Sequence, residues 1–554
     1  MTWTRASGVA LAVGLLASLI PATTLTTAWA ASGDTFSPVD PTRILDTRIG
    51  LGESGAIPAK LGEGAVISLQ VTGGPVPDGV DAVVMNVTVV KPSKSTYVSV
   101  YPGDQAQPLT VSNVNVGAGQ VVPNLVTVKV DAAGGVNLFN AAGSVDLLAD
   151  VTGYYSSTAP DFYTPLPPTR ILDTRNGTGS PVSPVGPAGS IDLQVTGSGG
   201  VPDGADAVVL NVTATGPSSG TYVSVYPTPA TSQPPPAVSS LNVARGQTIA
   251  NLVTVGLGDA GRVRLFNKLG NVNLVADVAG YFSTDTTGSV FTPVTPTRLL
   301  DTRTGLGQVS QGGVVGPGGA VDAQLTGVLS IPLDATAAIF NYTGVSPTLG
   351  TYLQAYPTPD SGVGIPTVSN LNLPARSVAA NLVSVQIGAG GEVRLRNQAG
   401  SSHMLVDLAG FYESSTPIDH GTAPPQPSLH GVIVSASFGN AGSMHPLQHT
   451  TVILNILTVP FADLVVTARF RAGPISVSTG ADSDGLASAS IAVGAAPADV
   501  VVPLTVTATS LDLQASAVFS TSFTPVAPPP PPSSAATHRR ALPTLSSAQT
   551  STSS

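Results

Sequence analysis

At 554 residues the chain is long enough for several hydrophobic cores. Its formal charge of −10, from 22 Lys and Arg against 32 Asp and Glu without a basic cluster, argues against nucleic acid as a partner, because that binding rests on grouped cations. Cysteine is absent, so no disulfide framework or thiol chemistry is available and stability must come from apolar burial.

Only 10% of residues are charged, which leaves a surface of Ser, Thr, Asn and Gly and weak long-range electrostatic steering. The chain opens with Arg5, an apolar run ending at Pro21, and Ala28-Trp29-Ala30. This pattern predicts an export signal over 1–30, cleaved after Ala30. The alternative, an uncleaved anchor, is disfavoured because the run is short for a bilayer. Cleavage removes one arginine and leaves the mature chain at −11. No later stretch is apolar enough to span a membrane, so a secreted or cell-surface protein is expected.

Three long repeats follow. "PTRILDTR" begins at Pro41 and again at Pro168, and "PTRLLDTR" begins at Pro296, spacings of 127 and 128 residues. "VVMNVTVV" (83–90) returns as "VVLNVTAT" and "AIFNYTGV", while "TYVSVYP" (96–102), "NLVTV" (124–128) and "DVTGYY" (150–155) also recur twice. A period this long is a whole domain rather than a solenoid turn. Each copy carries about eight Val-, Ile-, Thr- and Tyr-rich runs broken by Gly, Pro, Asn and Asp, with no helical periodicity. The expected fold is therefore all-β, with antiparallel sandwich or jelly-roll-like modules over 31–157, 158–286 and 287–413. In "VVMNVTV", Val83, Met85, Val87 and Val89 share one strand face and Val84, Asn86 and Thr88 the other; one face is expected to be core. Because each copy holds a full strand set, each is expected to fold alone, without calcium.

A Pro- and Ser-rich linker is predicted over 414–429. Strand-like runs return over 430–526, where an immunoglobulin-like sandwich is expected. The Pro/Ser-rich tail, 527–554, has little to bury and is expected to be disordered.

The opening F-x-P-x-x-P-T-R-[IL]-L-D-T-R, followed by N-[VY]-T, TY and D-[VL]-x-G-[YF], resembles repeat modules of secreted proteins from high-GC Gram-positive bacteria (actinobacteria). In that family they stand in tandem or beside wall-active hydrolases. The resemblance covers about residues 36–413 and implies a surface or wall-associated accessory role.

Alternation puts Asp46 and Arg48 on one face of a strand, as it does Asp173 with Arg175 and Asp301 with Arg303. Arg43, Arg170 and Arg298 complete the motif. The guanidinium fork suits a carboxylate or several loop carbonyls, where an ammonium does not. These arginines are expected to be buried and structural, tying the domain edge together; presentation to an anionic wall polymer is the alternative. Asn86, Asn211 and Asn341 lie in N-x-T sequons but mid-strand, which favours a structural role, whereas Asn176 lies in a loop. Asp150, Asp277, Asp407, Asn115, Asn124 and Asn140 recur and carry oxygen ligands, but lack the dense spacing of a calcium loop. Bonding to nearby backbone is the expectation.

The pairs Tyr97/Tyr101, Tyr222/Tyr226 and Tyr352/Tyr356 each share a strand face. They would form sugar platforms or core aromatics, and core is the expectation. Catalysis has little support. A glycosidase needs two carboxylates with separate roles, yet there are four Glu and none recurs, while Asp46 has an arginine beside it. His430, His445 and His449 fall in the fourth domain, and no catalytic, metal or cofactor site is assigned. The expected role is that of an exported, non-enzymatic adhesion or structural protein of the cell surface or wall, with a wall polymer or surface glycan as partner. A carbohydrate-binding protein using the Tyr pairs is the alternative, and an unrecognised secreted hydrolase the second. Oligomeric state is not set by the sequence.

Overall fold

The β-branched runs of the first repeat form eight strands: β1 (Thr35–Asp46), β2 (Val66–Gln70), β3 (Ala82–Val90), β4 (Thr96–Pro102), β5 (Val114–Val116), β6 (Val121–Lys129), β7 (Gly135–Asn140) and β8 (Asp146–Ser156). The computed structural model describes residues 33–415, apart from 53–56, 107–110, 308–311, 330 and 360–363, and the backbone of seven strands between 433 and 523. The expected leader, nearly all of the linker, the tail, and His430, His445 and His449 lie outside the described residues.

Within the repeat the strands make two sheets, ordered β1-β8-β3-β6 and β2-β7-β4-β5, with every pairing antiparallel. Eight strands interleaved in this way between two facing sheets make a jelly roll, and the second and third repeats reproduce both sheets. Between the sheets lie Leu45, Leu69, Met85, Val87, Val100 and Leu138, all buried.

On β3 one face is core, as expected, with Val83, Met85, Val87 and Val89 all entering it. The other face does not reach solvent. Ala82 and Val84 join a second core together with Leu125 of β6 and with residues of the other two repeats, including Val209, Phe282, Ile339 and Tyr412. The repeats are therefore not independent beads. They close into one ring around a pseudo-threefold axis, and, against the expectation of self-contained copies, one face of each inner sheet is covered by its neighbours.

Closure is cyclic at the backbone. Asp34 exchanges two hydrogen bonds of 2.7 Å with Phe291, Phe36 exchanges bonds of 2.7 and 3.1 Å with Asp161, and Ser289 pairs with Tyr163. The starts of the three first strands thus pair with one another around the axis. Aromatic rings then fill the centre: Phe36 packs on Phe282 with centroids 4.1 Å apart, Tyr155 on Phe291 at 4.3 Å, and Tyr163 on Tyr412 at 4.1 Å. Every pair joins two repeats.

This packing explains the glycine of D-[VL]-x-G-[YF]. A Cβ on Gly153 would lie 2.3 Å from the Phe36 ring, and one on Gly410 would lie 2.3 Å from Phe291. The ring of the first strand rests on bare backbone, so only glycine fits.

The fourth domain forms a three-stranded sheet over Ile433–Phe438, Thr451–Thr458 and Leu486–Ala492, and a four-stranded one over Gly473–Gly480, Asp463–Phe470, Val502–Ser510 and Ala515–Phe523. Seven antiparallel strands in two sheets match the expected immunoglobulin-like sandwich.

Candidate functional site

The octapeptide closes β1. A register shift between Arg43 and Leu45 breaks the alternation of side chains, so Arg43 comes to the same side as Asp46. Arg43 donates from Nε and Nη2 to both carboxylate oxygens of Asp150, at 2.7 and 3.0 Å, and its Nη1 lies 3.6 Å from Asp46. Arg48 forks onto Asp46 at 2.8 and 2.6 Å, and its backbone N–H adds a third bond at 3.1 Å. Thr47 is fully buried, and its hydroxyl accepts the Leu147 N–H at 3.0 Å.

The other copies repeat the cluster. Arg170 pairs with Asp277 and Arg175 with Asp173, while Arg298 pairs with Asp407 and Arg303 with Asp301. The two arginines of each copy differ in setting. The Arg43, Arg170 and Arg298 side chains are 20%, 23% and 12% exposed, whereas Arg48, Arg175 and Arg303 are 45%, 50% and 45% exposed. The second arginine therefore lies at the surface as a lid on a buried aspartate. Hydrogen bonds from Arg48 and Arg175 hold the Asp46 and Asp173 carboxyls below their usual range. Burial pushes Asp150 and Asp277 upward against the pull of Arg43 and Arg170.

These clusters sit on the seams between repeats. Asp150 also accepts the backbone N–H of Ser239 from the second repeat, and Arg170 donates to the Thr367 carbonyl of the third at 3.0 Å. Beside them runs a cycle of asparagines. Asn86, Asn211 and Asn341 donate to the carbonyls of Ser239, Ser369 and Ser112, at 2.7, 2.6 and 2.6 Å. Their side-chain oxygens accept from Asn251, Asn381 and Asn124 at 2.9, 3.1 and 2.9 Å. Those three in turn accept the N–H groups of Leu125, Leu252 and Leu382. Each step crosses a seam, and after three steps the cycle is closed. The edge strands β6, Thr248–Gly256 and Val378–Gln386 meet around the axis, and asparagine side chains satisfy backbone groups that a neighbouring strand would otherwise take. The sequon asparagines are buried and fully used; Asn176 is exposed, with its side-chain oxygen accepting from Thr178.

Asn140, fully buried, donates to the carbonyls of Leu61, Gly62 and Gly143 and accepts from Thr96. Asn267 and Asn397 do the same in their copies. Such saturation uses the oxygen a cation would need. Among the described residues no group of three His, Asp or Glu is arranged to hold a metal.

The tyrosine pairs do not present two rings. Tyr101, Tyr226 and Tyr356 are buried, while Tyr97, Tyr222 and Tyr352 are half-buried. None belongs to its module's inner core. In the first repeat Val111 and Asn113 lie along β4, with Ser99 Oγ donating to the Val111 carbonyl at 2.5 Å and Val100 N–H to Asn113 at 2.7 Å.

Sequence reading passed over one arrangement. Asp34 meets Asp81, and Asp161 meets Asp206. Burial, then the neighbouring carboxylate, raises both Asp34 and Asp161 to about 7. The equivalent contact in the third repeat is a hydrogen bond of 2.8 Å between the hydroxyls of Ser289 and Thr336. Asp81 and Asp206 stand in "PDGVDA" and "PDGADA", which read only as turns. Asp34 and Asp161 lie at the backbone contacts between repeats.

No family model and no curated protein matches the chain. Among solved structures, a β-glucuronidase of Parabacteroides merdae is 11% identical over 42% of this chain and 30% of its own, with a TM-score of 0.16. A tetra-tandem repeat from the extending region of a large adhesion protein is 13% identical over 84% of this chain and 96% of its own, at 0.14. A glycoside hydrolase domain of Streptococcus pneumoniae R6, Endo-D, is 12% identical over 44% and 39%, also at 0.14.

Proposed function

We propose that this is an exported, non-enzymatic protein of the cell surface or wall, acting in adhesion or wall association. The observation that carries the reading is the closed ring of three repeats. Of the residues that recur most faithfully, the Arg–Asp clusters are spent on tying strands within each repeat beside the seams and the asparagine cycle on holding the repeats together. What the ring repeats outwardly is surface. Three fixed copies of one surface gain avidity without new contacts, and rigidity lowers the entropic cost of engaging them together. The test is retention: the mature chain is mixed with purified peptidoglycan, wall polysaccharide and whole cells, and the sedimented fraction is measured. Recovery of the protein only in the supernatant with all three would overturn the reading.

A further inference from the structure

At one end of the pseudo-threefold axis, where the edge strands begin, the ring leaves an open depression of about 1060 Å3 walled by all three repeats. That is the size of a large ligand pocket. No Asp, Glu, Lys, Arg or His lines it. Val121, Ile249 and Val378 supply apolar walls, and the amides of Asn115, Asn242 and Asn372 repeat around it. Two of these amides are occupied, Asn115 donating to Ser112 at 3.1 Å and Asn242 to Ser239 at 3.0 Å. Asn372 Nδ2 is buried with no partner, an unmet donor with a desolvation cost.

We infer that this axial depression binds an uncharged saccharide chain. An anionic polymer would lose hydration there with no cation to replace it, and a cation would meet no carboxylate. A purely apolar ligand would leave the Asn372 amide unpaired. A neutral sugar meets both demands, laying its C–H faces on valine and isoleucine and its hydroxyls on amides. Tyr352, also in the wall, adds an aromatic face. The inference gives the surface-association reading a ligand class and rests on it.

Its test uses saturation-transfer NMR and calorimetry on the mature chain, with cellohexaose, chitohexaose, maltohexaose and mannohexaose as probes and polygalacturonate as the anionic control. At least one neutral hexasaccharide should bind and polygalacturonate should not. Val378 is 42% exposed and Leu333, away from the depression, is 66% exposed, so both sites accept an arginine without disturbing a core. Val378→Arg should weaken binding at least tenfold and Leu333→Arg should not. Thr248→Lys, on another wall, supplies a second block if Val378→Arg lowers the melting temperature. Failure of every neutral probe, equal binding of polygalacturonate, or binding untouched by both blocking variants would overturn the inference. A chain that still sediments with walls after any of these results leaves the broader reading standing.

Discussion

The hydroxyls of Tyr155 and Tyr412, 257 residues apart in sequence, lie 2.6 Å from each other at the centre of the ring. One belongs to the first repeat and the other to the third, and both are wholly buried among rings from all three. A single repeat cut from the chain would expose Phe36, Val84, Leu125 and Tyr155 as one apolar face. Residues 33–157 expressed alone should therefore self-associate or fail to give a cooperative melt. Analytical ultracentrifugation with calorimetry checks this, and a monomer with a sharp transition would refute the shared-core description.

The same centre sets the cost of losing one ring. Phe36 touches Tyr155 and Phe282 and covers Gly153. Phe36→Ala should cost about 3–5 kcal/mol, the usual range for a buried phenylalanine. Because the cavity opens onto a seam, the loss should appear as destabilisation of the three repeats together. Urea unfolding followed by tyrosine fluorescence would show one shifted transition, whereas separate transitions for the repeats would contradict it.

The octapeptide arginines should divide unequally. Removing Arg43 leaves Asp150, whose side chain is 2% exposed, without its bidentate partner, and an uncompensated buried charge costs about 3–5 kcal/mol. Arg48→Ala keeps the backbone N–H on Asp46 and leaves Arg43 nearby, so a loss of about 1 kcal/mol is expected, near the range of exposed ion pairs. Arg43→Lys should also be poorly tolerated, since an ammonium cannot reproduce the fork. Urea midpoints of the three variants decide the order; a larger loss for Arg48→Ala than for Arg43→Ala would sink this account.

Local features were legible in the sequence. Strand faces follow from alternation, and the repeat period gave the modules. The octapeptide's carboxylate pairing was partly visible, but the register shift after Arg43 was not, because a bulge leaves no mark in residue types; Arg43 thereby gained Asp150 as its partner. Closure was the largest omission. Identical copies carry no statement of whether a face meets solvent or another copy, and Asn86 finds its acceptor 153 residues away. One signal was available: β3 reads AVVMNVTVV, apolar on both faces, and such strands are buried on both sides.

Stability should fall as pH rises toward neutrality, and the seams give the sign. Asp34 and Asp161 titrate near 7 in the folded chain against 3.8 for the free group. Between these values the folded state holds protons that the unfolded state has released. Their contribution is therefore fully present below about pH 4 and is lost as pH climbs through 7. Asp46 and Asp173, held low by Arg48 and Arg175, act in the opposite sense, but only at more acid pH. The Ser289–Thr336 bond shows a neutral donor and acceptor serving the same position at the third seam. Melting temperatures of the chain should decline from pH 5 to pH 8. Replacing Asp81→Asn and Asp206→Asn together supplies a permanent donor to Asp34 and Asp161, so the double variant should melt above the wild type at pH 8 and show a flatter profile. A wild-type melting temperature that rises over this window, or a double variant with an unchanged slope, would mean that these carboxyl pairs beside the seams do not share a proton.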